Sequence, residues 1–281
     1  MTEELGLTRV AGVQMNVRFA DKQANLARIE SGIREAAKNG ARLVVFPECA
    51  LTGYCFETRE AALELAESIP GACTEFVYAI CAELGVSVVF GMLEFCDESL
   101  FNACVLIGPQ GVISSYRKVH LPFLGVDSLA TPGDRAFGVA EAGGLRVGMN
   151  ICYDFSFPEA ARSLALAGAD VVVLPTNWPN GAECAAEVLP RARALENRVY
   201  YLAVNRVGTE GGFQFIGSSI ICDPDGEILA LAGPDEETIL YGNLDPAIAR
   251  QKRIVRVPDK HMIDRMADRR PEMYGKVTDP I

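Results

Sequence analysis

Residues 144–164 read GLRVGMNICYDFSFPEAARSL and pass from a strand pattern into a helix pattern. The mostly apolar run 147–151 is typical of a short buried strand, and Pro158 before an alanine-rich segment is typical of the first turn of a helix. Cys152 stands at the junction. A thiol there is either a buried core residue or a nucleophile on a strand-to-helix turn, and the rest of the chain has to decide.

The same passage between strand and helix recurs along the chain. Leu26, Ile29 and Ile33 lie at helical spacing and predict a helix over 21–39. Further helices are predicted over 73–84, 158–169 and 187–198, and strands over 41–48, 86–94, 170–176, 199–207 and 238–244. This alternation indicates an α/β protein.

Hairpins fill the gaps between these units. Strand pairs joined by turns are predicted over 101–118, 136–152 and 216–231, the last around a D-P-D-G turn. So many hairpins do not fit a strictly doubly wound sheet, whereas two stacked mixed sheets with helices outside them do. Because no linker, repeat or low-complexity segment interrupts the pattern, we predict one domain over 1–281.

Composition narrows the class of protein. The chain has 281 residues, 49% of them hydrophobic and 22% charged, as expected for an enzyme-sized globular protein. Its net charge of -11 argues against nucleic acid and anionic membranes as partners. No apolar run approaches a membrane span, and the acidic start MTEELGLTRV does not resemble a signal peptide, so a cytoplasmic location is expected.

Cysteine and histidine usage limits the possible chemistry. The nine cysteines are odd in number and form no C-x-x-C pair, which indicates reduced thiols and neither a disulfide framework nor a zinc site. With only two histidines, His120 and His261, a histidine-rich metal site is excluded. We therefore expect no metal and no cofactor.

Three buried-looking strands end in polar residues that apolar packing does not require. LVVFP leads to Glu48, VISSYR to Lys118 and RVGMNI to Cys152. Functional groups gather at the carboxyl ends of strands in open α/β sheets, where a carboxylate could serve as base for the thiol and an ammonium could stabilise negative charge. Each residue taken alone also fits a structural role: Glu48 could be a solvated loop carboxylate, Lys118 a surface charge and Cys152 an inert core thiol.

The segment after the thiol predicts a capped helix. Ser156 is expected as its N-cap, with Glu159 completing a capping box. The positive end of that helix is expected to lower the pKa of Cys152.

The contexts of the three residues, FPECALTGY, YRKVHLP and NICYDFSFPE, together resemble the nitrilase, or carbon–nitrogen hydrolase, superfamily. The resemblance covers nearly the whole chain in the same order and spacing. It extends to LPTNWP, RALENRVYYLAVNRVG, GSSIICDPDGEILA and RRPEMYG.

This resemblance implies a four-layer αββα sandwich with a Glu48–Lys118–Cys152 triad. It implies hydrolysis of a non-peptide C–N bond, in a small aliphatic amide, through a cysteine thioester with release of ammonia or an amine. It also implies a homodimer or higher homo-oligomer, with the tail 253–281 packing on a neighbouring subunit.

Two further roles are expected from the resemblance. The backbone N–H of Tyr153 would help to stabilise the oxyanion. Many relatives carry a second glutamate between the lysine and the PGD turn, but this chain has none there. Asp127, the only carboxylate between Lys118 and Asp134, is the candidate for that part, and a turn-forming loop aspartate is the alternative.

The substrate pocket is less constrained. Four residues lie near the strand ends by sequence position: Tyr54, Phe123, Asn177 and Trp178. Trp178 would either limit substrate bulk or serve as plain packing. His120 is expected to be a hydrogen-bonded group and not a catalyst, and Asp154 fits a cap of the nucleophile turn.

Other functions remain open at this point. A nitrilase or an N-carbamoyl amidase would use the same triad; the length of the chain favours an amidase-like member. A carbamoylase needs basic residues for its substrate's carboxylate, and the sequence does not locate Arg162 or Arg191 relative to the site. From another class, a reactive-thiol redox protein is disfavoured because Cys152 has no resolving C-x-x-C partner. The intact triad disfavours an inactive scaffold.

Overall fold

Sixteen strands and seven helices make up residues 6–279, which the computed structural model describes. Residues 1–5 of the acidic start and residues 280–281 of the predicted tail lie outside this range. The strands are β1 (Thr8–Gln14), β2 (Leu43–Val45), β3 (Ser87–Cys96), β4 (Ser99–Gly108), β5 (Gly111–Arg117), β6 (Val139–Ala142), β7 (Leu145–Met149), β8 (Val171–Pro175), β9 (Tyr200–Val204), β10 (Val207–Glu210), β11 (Phe213–Ile216), β12 (Ile220–Cys222), β13 (Ile228–Leu231), β14 (Thr238–Leu244), β15 (Arg253–Val257) and β16 (His261–Asp264). The helices are α1 (Lys22–Lys38), α2 (Arg59–Leu63), α3 (Ala72–Leu84), α4 (Pro158–Leu166), α5 (Glu183–Asn197), α6 (Pro246–Arg250) and α7 (Gly275–Thr278).

Two six-stranded sheets dominate the architecture. The first has the strand order β14-β1-β2-β3-β4-β5 and the second β13-β12-β9-β8-β7-β6. In each sheet a parallel centre, β1-β2-β3 or β7-β8-β9, is flanked by antiparallel strands. The predicted mixture of crossovers and hairpins is thereby explained: helices connect the parallel strands, and short turns add β4, β5, β6 and β13. Strands β12 and β14 instead return to β9 and β1 over longer stretches of chain.

The two sheets pack face to face with helices outside them. One buried cluster joins Val10 and Val45 of the first sheet to Val147 and Val171 of the second. A second cluster packs α1 and α3 onto the outer face of the first sheet, while α4 and α5 cover the second. Central strands buried on both faces must be apolar throughout, as the sequence is. The predicted four-layer αββα sandwich is confirmed.

Element boundaries follow local signals in some places and not in others. Helix α1 begins after Asp21, whose side chain accepts a 3.0 Å hydrogen bond from the N–H of Ala24. Pro190 lies inside α5 without ending it. The strand predicted over 199–207 is split into β9 and β10, because the chain leaves the sheet at Asn205 to form a separate hairpin with β11.

The C-terminal segment folds back toward α4. Strands β15 and β16 form a hairpin, and a guanidinium nitrogen of Arg162 lies 3.4 Å from the sulfur of Met266. Between α4 and this segment runs a groove of about 830 Å³. Within residues 6–279, no helix combines the length and the apolar character that crossing a bilayer requires.

Candidate active site

The ends of three strands supply the candidate catalytic groups. Glu48 follows β2, Lys118 directly follows β5, and Cys152 follows β7. Nζ of Lys118 lies 2.7 Å from Oε1 of Glu48, and the charges of both residues act on the thiol of Cys152. The structure therefore brings together the three groups that the sequence singled out.

Glu48 is buried in an unusual way for a carboxylate. Its side chain has no solvent exposure. Oε1 accepts hydrogen bonds from Nζ of Lys118 and Nδ2 of Asn102, each at 2.7 Å, whereas Oε2 is buried and has no partner among the described residues. Burial raises the pKa of Glu48, and the charge of Lys118 offsets only part of that rise. One oxygen is thus held while the other remains free to exchange a proton.

Lys118 is a fully buried cation between two acids. Its ammonium contacts Glu48 and Asp127. Burial disfavours the charged form, but the charges of Glu48 and then Asp127 outweigh it, so the pKa of Lys118 lies well above its ordinary value. The ammonium therefore keeps its charge throughout the physiological range.

Asp127 lies in a 3₁₀ turn, Gly125–Ser128, and points its carboxylate at Lys118. Oδ2 also accepts a 2.7 Å hydrogen bond from the hydroxyl of Tyr54, and Oδ1 accepts one of the same length from Asn102. A turn-forming loop aspartate would not make these contacts. The shorter side chain reaches the ammonium because the turn itself is buried beside it.

Asn102 belongs to this network, although it was not among the site residues predicted from the sequence. Its Nδ2 donates to both Glu48 and Asp127. In the first sheet it lies opposite Lys118, whose backbone N–H donates to the carbonyl of Asn102 at 2.8 Å. A single asparagine in the apolar run FNACVLI was the only signal available. The sequence predicts the pairing of β4 with β5, but not the irregular register between Leu106 and Ile107 or the approach of Glu48 and Asp127 from other segments.

Cys152 opens a 3₁₀ turn, Cys152–Ser156, with a left-handed φ of 42°. Non-glycine residues rarely adopt this conformation, and it is typical of functional turns. Its side chain belongs to the buried cluster between the sheets and helices, and the residue is 8% exposed. The turn ends the strand abruptly and separates the thiol from the helix that follows.

The expected lowering of the thiol pKa is wrong. Burial and then the charge of Glu48 raise the pKa of Cys152 to about 12, while Lys118, the Thr176 side chain and the backbone N–H of Asn177 offset part of the rise. The resting group is therefore a thiol, which needs a base to become a nucleophile.

The predicted helix cap is also wrong. Helix α4 begins at Pro158 with Phe157 as its N-cap, and Ser156 ends the 3₁₀ turn instead. The helix start is thus displaced from Cys152 by the length of that turn. Because a helix terminus acts over about one turn, it does little to counter desolvation of the thiol.

Asp154 ties the nucleophile turn together, as predicted. Its Oδ2 accepts hydrogen bonds from the N–H of Ile151 at 2.9 Å and the hydroxyl of Tyr116 at 2.8 Å. Its Oδ1 lies 2.7 Å from Nδ1 of His120, whose ring stacks on Phe157 at 3.7 Å between centroids. His120 is thus a hydrogen-bonded structural group.

The four predicted pocket residues separate into two sets. Tyr54 is buried against Asp127, and Asn177 and Trp178 are buried at the end of β8, where Trp178 packs on Phe155 with ring centroids 5.0 Å apart. Phe123, in contrast, is 97% exposed. The structure therefore gathers Tyr54, Asn177 and Trp178 near the triad and leaves Phe123 on the surface.

A buried ion pair holds the backbone beside Tyr54. Oε1 of Glu210 accepts the N–H of Tyr54 at 2.6 Å and of Cys55 at 2.7 Å, and its other oxygen pairs with Arg206. The hairpin of β10 and β11 thus fixes the loop that carries the Tyr54 hydroxyl to Asp127.

Two glycines let the backbone approach the site closely. A Cβ on Gly91 of β3 would lie 2.6 Å from Cα of Glu48 and 2.3 Å from the backbone nitrogen of Cys49. A Cβ on Gly133 would lie 2.2 Å from the carbonyl oxygen of Arg117. Real Cβ atoms do not approach backbone this closely, so both the carboxylate and the ammonium are backed by bare main chain.

Comparison with known proteins adds to this geometry. The family model described as carbon-nitrogen hydrolase matches residues 9–254. A nitrilase from Pyrococcus abyssi (strain GE5 / Orsay) is 42% identical over 272 residues, covering 95% of this chain and 99% of that protein. An (R)-stereoselective amidase from Pseudomonas sp is 37% identical over 228 residues, covering 80% of each chain. Human omega-amidase NIT2 is 34% identical over 250 residues, covering 84% of this chain and 88% of its own.

Solved structures show the same architecture. An amidase from Nesterenkonia sp. superposes with a TM-score of 0.80 at 26% identity, over 97% of both chains. In a variant of that amidase, the acetamide moiety of fluoroacetamide is covalently attached to the active-site cysteine. Another variant binds butyramide.

Proposed function

Because this chain belongs to the carbon–nitrogen hydrolase family of the nitrilase superfamily, we propose that it hydrolyses small aliphatic amides through a cysteine thioester. One observation carries the proposal. Oε1 of Glu48 is held by two donors while Oε2 is unpartnered, beside a neutral thiol and a permanently charged Lys118. This arrangement has the base, the nucleophile and the positive charge that acyl transfer requires.

In the first half-reaction Glu48 takes the proton of Cys152 as the thiolate attacks the amide carbon. The raised thiol pKa means that free thiolate is scarce, so proton transfer and attack belong together. The resulting oxyanion is stabilised by the ammonium of Lys118 and by the backbone N–H of Tyr153, which follows the nucleophile directly. Glu48 then gives its proton to the leaving ammonia or amine, and the acyl group remains on the sulfur.

In the second half-reaction the same carboxylate activates water. Water attacks the thioester carbon, its proton passes to Glu48, and collapse of the tetrahedral intermediate releases the acid and returns a proton to the sulfur. One group serves as both acid and base only if its pKa lies nearer to neutrality than that of an ordinary glutamate. Burial of Glu48 supplies a shift in that direction.

Asp127 takes the part of the second carboxylate in this proposal. Its contact with Lys118 and the hydrogen bond from Tyr54 support a role in holding the ammonium charged and in place. Tyr54, Asn177 and Trp178 are proposed to line the acyl side of the pocket. The three are buried, so the pocket they form favours a short chain.

A second candidate is hydrolysis of nitriles, because the relative that is 42% identical over almost the whole chain is a nitrilase. A nitrile carbon would be attacked by the same thiolate, with Lys118 next to the developing negative charge on nitrogen. An N-carbamoyl substrate remains the third candidate, since it needs the same triad.

Ammonia release from a matched panel tests the proposal. We expect acetamide, propionamide and butyramide to be turned over faster than the corresponding nitriles and N-carbamoyl amino acids. Cys152→Ala, which removes one sulfur atom, should abolish turnover while circular dichroism and thermal midpoint stay close to those of the unmodified protein. Faster turnover of nitriles would establish the second candidate, and activity retained by Cys152→Ala above a few per cent would refute the thioester mechanism.

We also propose that residues 1–281 form one hydrolase domain that assembles at least as a homodimer through α4 and the C-terminal segment. The groove between them combines charges of both signs with exposed apolar side chains: Arg162, Arg265 and Arg269, Glu159, Glu196 and Asp268, and Leu166, Tyr274 and Val277. Exposed apolar side chains beside charges of both signs suit the same surface of a second subunit, and obligate interfaces of this kind bury more than about 2,000 Å².

Sedimentation tests the assembly. The unmodified protein should be dimeric or larger at micromolar concentration, and Leu166→Glu, which places a charge on the exposed face of α4, should dissociate it. Leu229→Glu is the matched control, since Leu229 is similarly exposed but lies on β13. A monomeric unmodified protein, or equal sedimentation of both variants, would contradict this interface.

A further inference from the structure

We infer that Asn102 is a positioning residue that confines proton transfer to a single oxygen of Glu48, Oε2. The inference rests on the proposed function, because it assigns a purpose to a residue that supports the proposed base. Asn102 touches neither Cys152 nor, in this proposal, the substrate. By occupying Oε1, it determines which oxygen of Glu48 is available to Cys152 and to the substrate.

The hydrogen bonds fix the orientation of the Asn102 amide. Both of its partners, Glu48 and Asp127, present carboxylate oxygens 2.7 Å away, and carboxylates accept hydrogen bonds. The group that faces them must therefore be the NH₂ group, which has one proton for each. The opposite side of the amide, Oδ1, lies 3.7 Å from the thiol of Cys49, which can donate to it. Every donor and acceptor site of Asn102 that points into the cluster is accounted for.

The consequence for Glu48 is an asymmetric carboxylate. Oε1 accepts from Lys118 and from Asn102, whereas Oε2 is buried with no partner among the described residues. A proton placed on Oε1 would have to displace a charge-assisted hydrogen bond. A proton on Oε2 displaces nothing. Proton exchange with the thiol, the leaving group and the attacking water is therefore directed to Oε2.

Asn102 also separates two acids that would otherwise repel each other. It bridges Oε1 of Glu48 and Oδ1 of Asp127, and all three side chains are buried. Burial raises the pKa of Glu48, and the hydrogen bond from Asn102 is among the contacts that lower it. Loss of that bond should therefore make Glu48 easier to protonate and shift the acid limb of the activity profile.

Two variants remove the amide without adding charge. Asn102→Leu keeps the branching at Cγ but is larger, and Asn102→Ser is smaller, so that a folding defect of one does not prevent the test. In both we expect kcat/KM to fall about 10- to 100-fold, the range for losing a hydrogen bond to a charged group. We also expect the acid limb of the pH profile of kcat/KM to move to higher pH.

Asn197→Ser is the matched control. Asn197 is equally buried, and its Nδ2 donates to the backbone carbonyl of Arg193 at 3.0 Å within α5. This variant should lose thermal stability while the pH profile keeps its position. If Asn102 were merely structural, its variants would resemble Asn197→Ser and leave the pH profile in place. The pH profile therefore distinguishes a positioning role from a packing role.

An unmoved acid limb in the folded Asn102 variants, or a loss of kcat/KM below about threefold, would overturn the inference. Failure of the proposed function would look different. In that case the unmodified protein would turn over nitriles faster than amides, or Cys152→Ala would retain amide hydrolysis, whatever the Asn102 variants do.

Discussion

Nζ of Lys118 lies 2.7 Å from Oε1 of Glu48, and both side chains are without solvent exposure. A buried ion pair of this kind is not evidence of stability, because the desolvation of two charges offsets much of their attraction. Here the pair is also incomplete, since Oε2 of Glu48 is left unpartnered. A cost of this kind, in a site that also contains a strained cysteine, indicates selection for chemistry and not for folding.

Replacing Glu48 by glutamine is the most direct test of the base. Glu48→Gln keeps the shape of the side chain and its contact with Lys118 but removes the proton acceptor. We expect kcat for amide hydrolysis to fall about 10²- to 10⁴-fold, or further because both half-reactions use the group. Steady-state ammonia release measures this, and a change below about threefold would mean that the base lies elsewhere.

The pH profile should report the environment of Glu48. The carboxylate is the working form of the free enzyme, and burial raises its pKa above the ordinary value of about 4.3. As the pH is lowered, kcat/KM should therefore fall through an apparent pKa above that of an exposed glutamate. No rise from thiolate formation is expected on the alkaline side up to about pH 10, because the thiol pKa is raised to about 12. An acid limb at or below the ordinary value would contradict the buried base.

Asp127 should matter through the ammonium it contacts. Asp127→Asn is expected to lower kcat and kcat/KM together by about 10- to 1,000-fold, comparable with weakening an oxyanion site. Asp127→Glu restores a carboxylate and should keep measurable activity that the asparagine variant lacks. If both variants retain near-normal kcat and differ only in thermal midpoint, Asp127 shapes the loop and nothing more.

Tyr54→Phe removes from the network one hydroxyl, which lies 2.7 Å from Oδ2 of Asp127 and 3.0 Å from the carbonyl oxygen of Leu124. The ring remains, while Asp127 loses the 2.7 Å contact from the hydroxyl. We expect a loss of about 3- to 30-fold in kcat, since the hydroxyl acts on Lys118 only through Asp127. Tyr201→Phe is the control, because the buried hydroxyl of Tyr201 has no partner among residues 6–279 and its removal should leave kcat unchanged. Equal effects of the two changes would refute the assignment.

A stability prediction concerns Asp170, away from the site. Both of its carboxylate oxygens pair with Arg250, at 2.9 and 2.7 Å, and one also accepts the N–H of Arg146. Asp170→Asn should lower the free energy of unfolding by about 2–4 kcal/mol. The control Asp225→Asn, in an exposed pair with Arg198, should cost less than about 1 kcal/mol. Urea titration of both variants measures the difference.

The pH dependence of that difference has a definite sign. Burial alone would raise the pKa of Asp170, but the Arg250 and Arg146 contacts outweigh it and lower the pKa. A carboxylate whose folded pKa is depressed contributes its full stability above its unfolded value of about 3.9, and loses it as the pH falls through the lower folded value. The gap between the unmodified protein and Asp170→Asn should therefore be constant near neutrality and shrink in acid. A gap that widens in acid would contradict the pairing.

Most features of the fold that depend on local sequence patterns were predicted correctly. Strand ends, the two-sheet architecture and the grouping of Glu48, Lys118 and Cys152 followed from apolar periodicity together with a family resemblance. The part of Asn102 could not be predicted, because it depends on the register of the predicted 101–118 hairpin and on the approach of Glu48 and Asp127 from distant segments. The pKa of Cys152 was predicted with the wrong sign, because a helix start is visible in sequence whereas the depth of burial is not.

The catalytic site depends on Gly91 and Gly133, two positions that carry no functional group. Each allows the main chain to touch the residue that presents the carboxylate or the ammonium. Neither glycine contacts a reacting atom, yet a Cβ at either position would meet the backbone that carries Glu48 or Lys118. A substitution at either would displace the chemistry by pushing on its support. This active site therefore requires two positions, Gly91 and Gly133, that have no side chain.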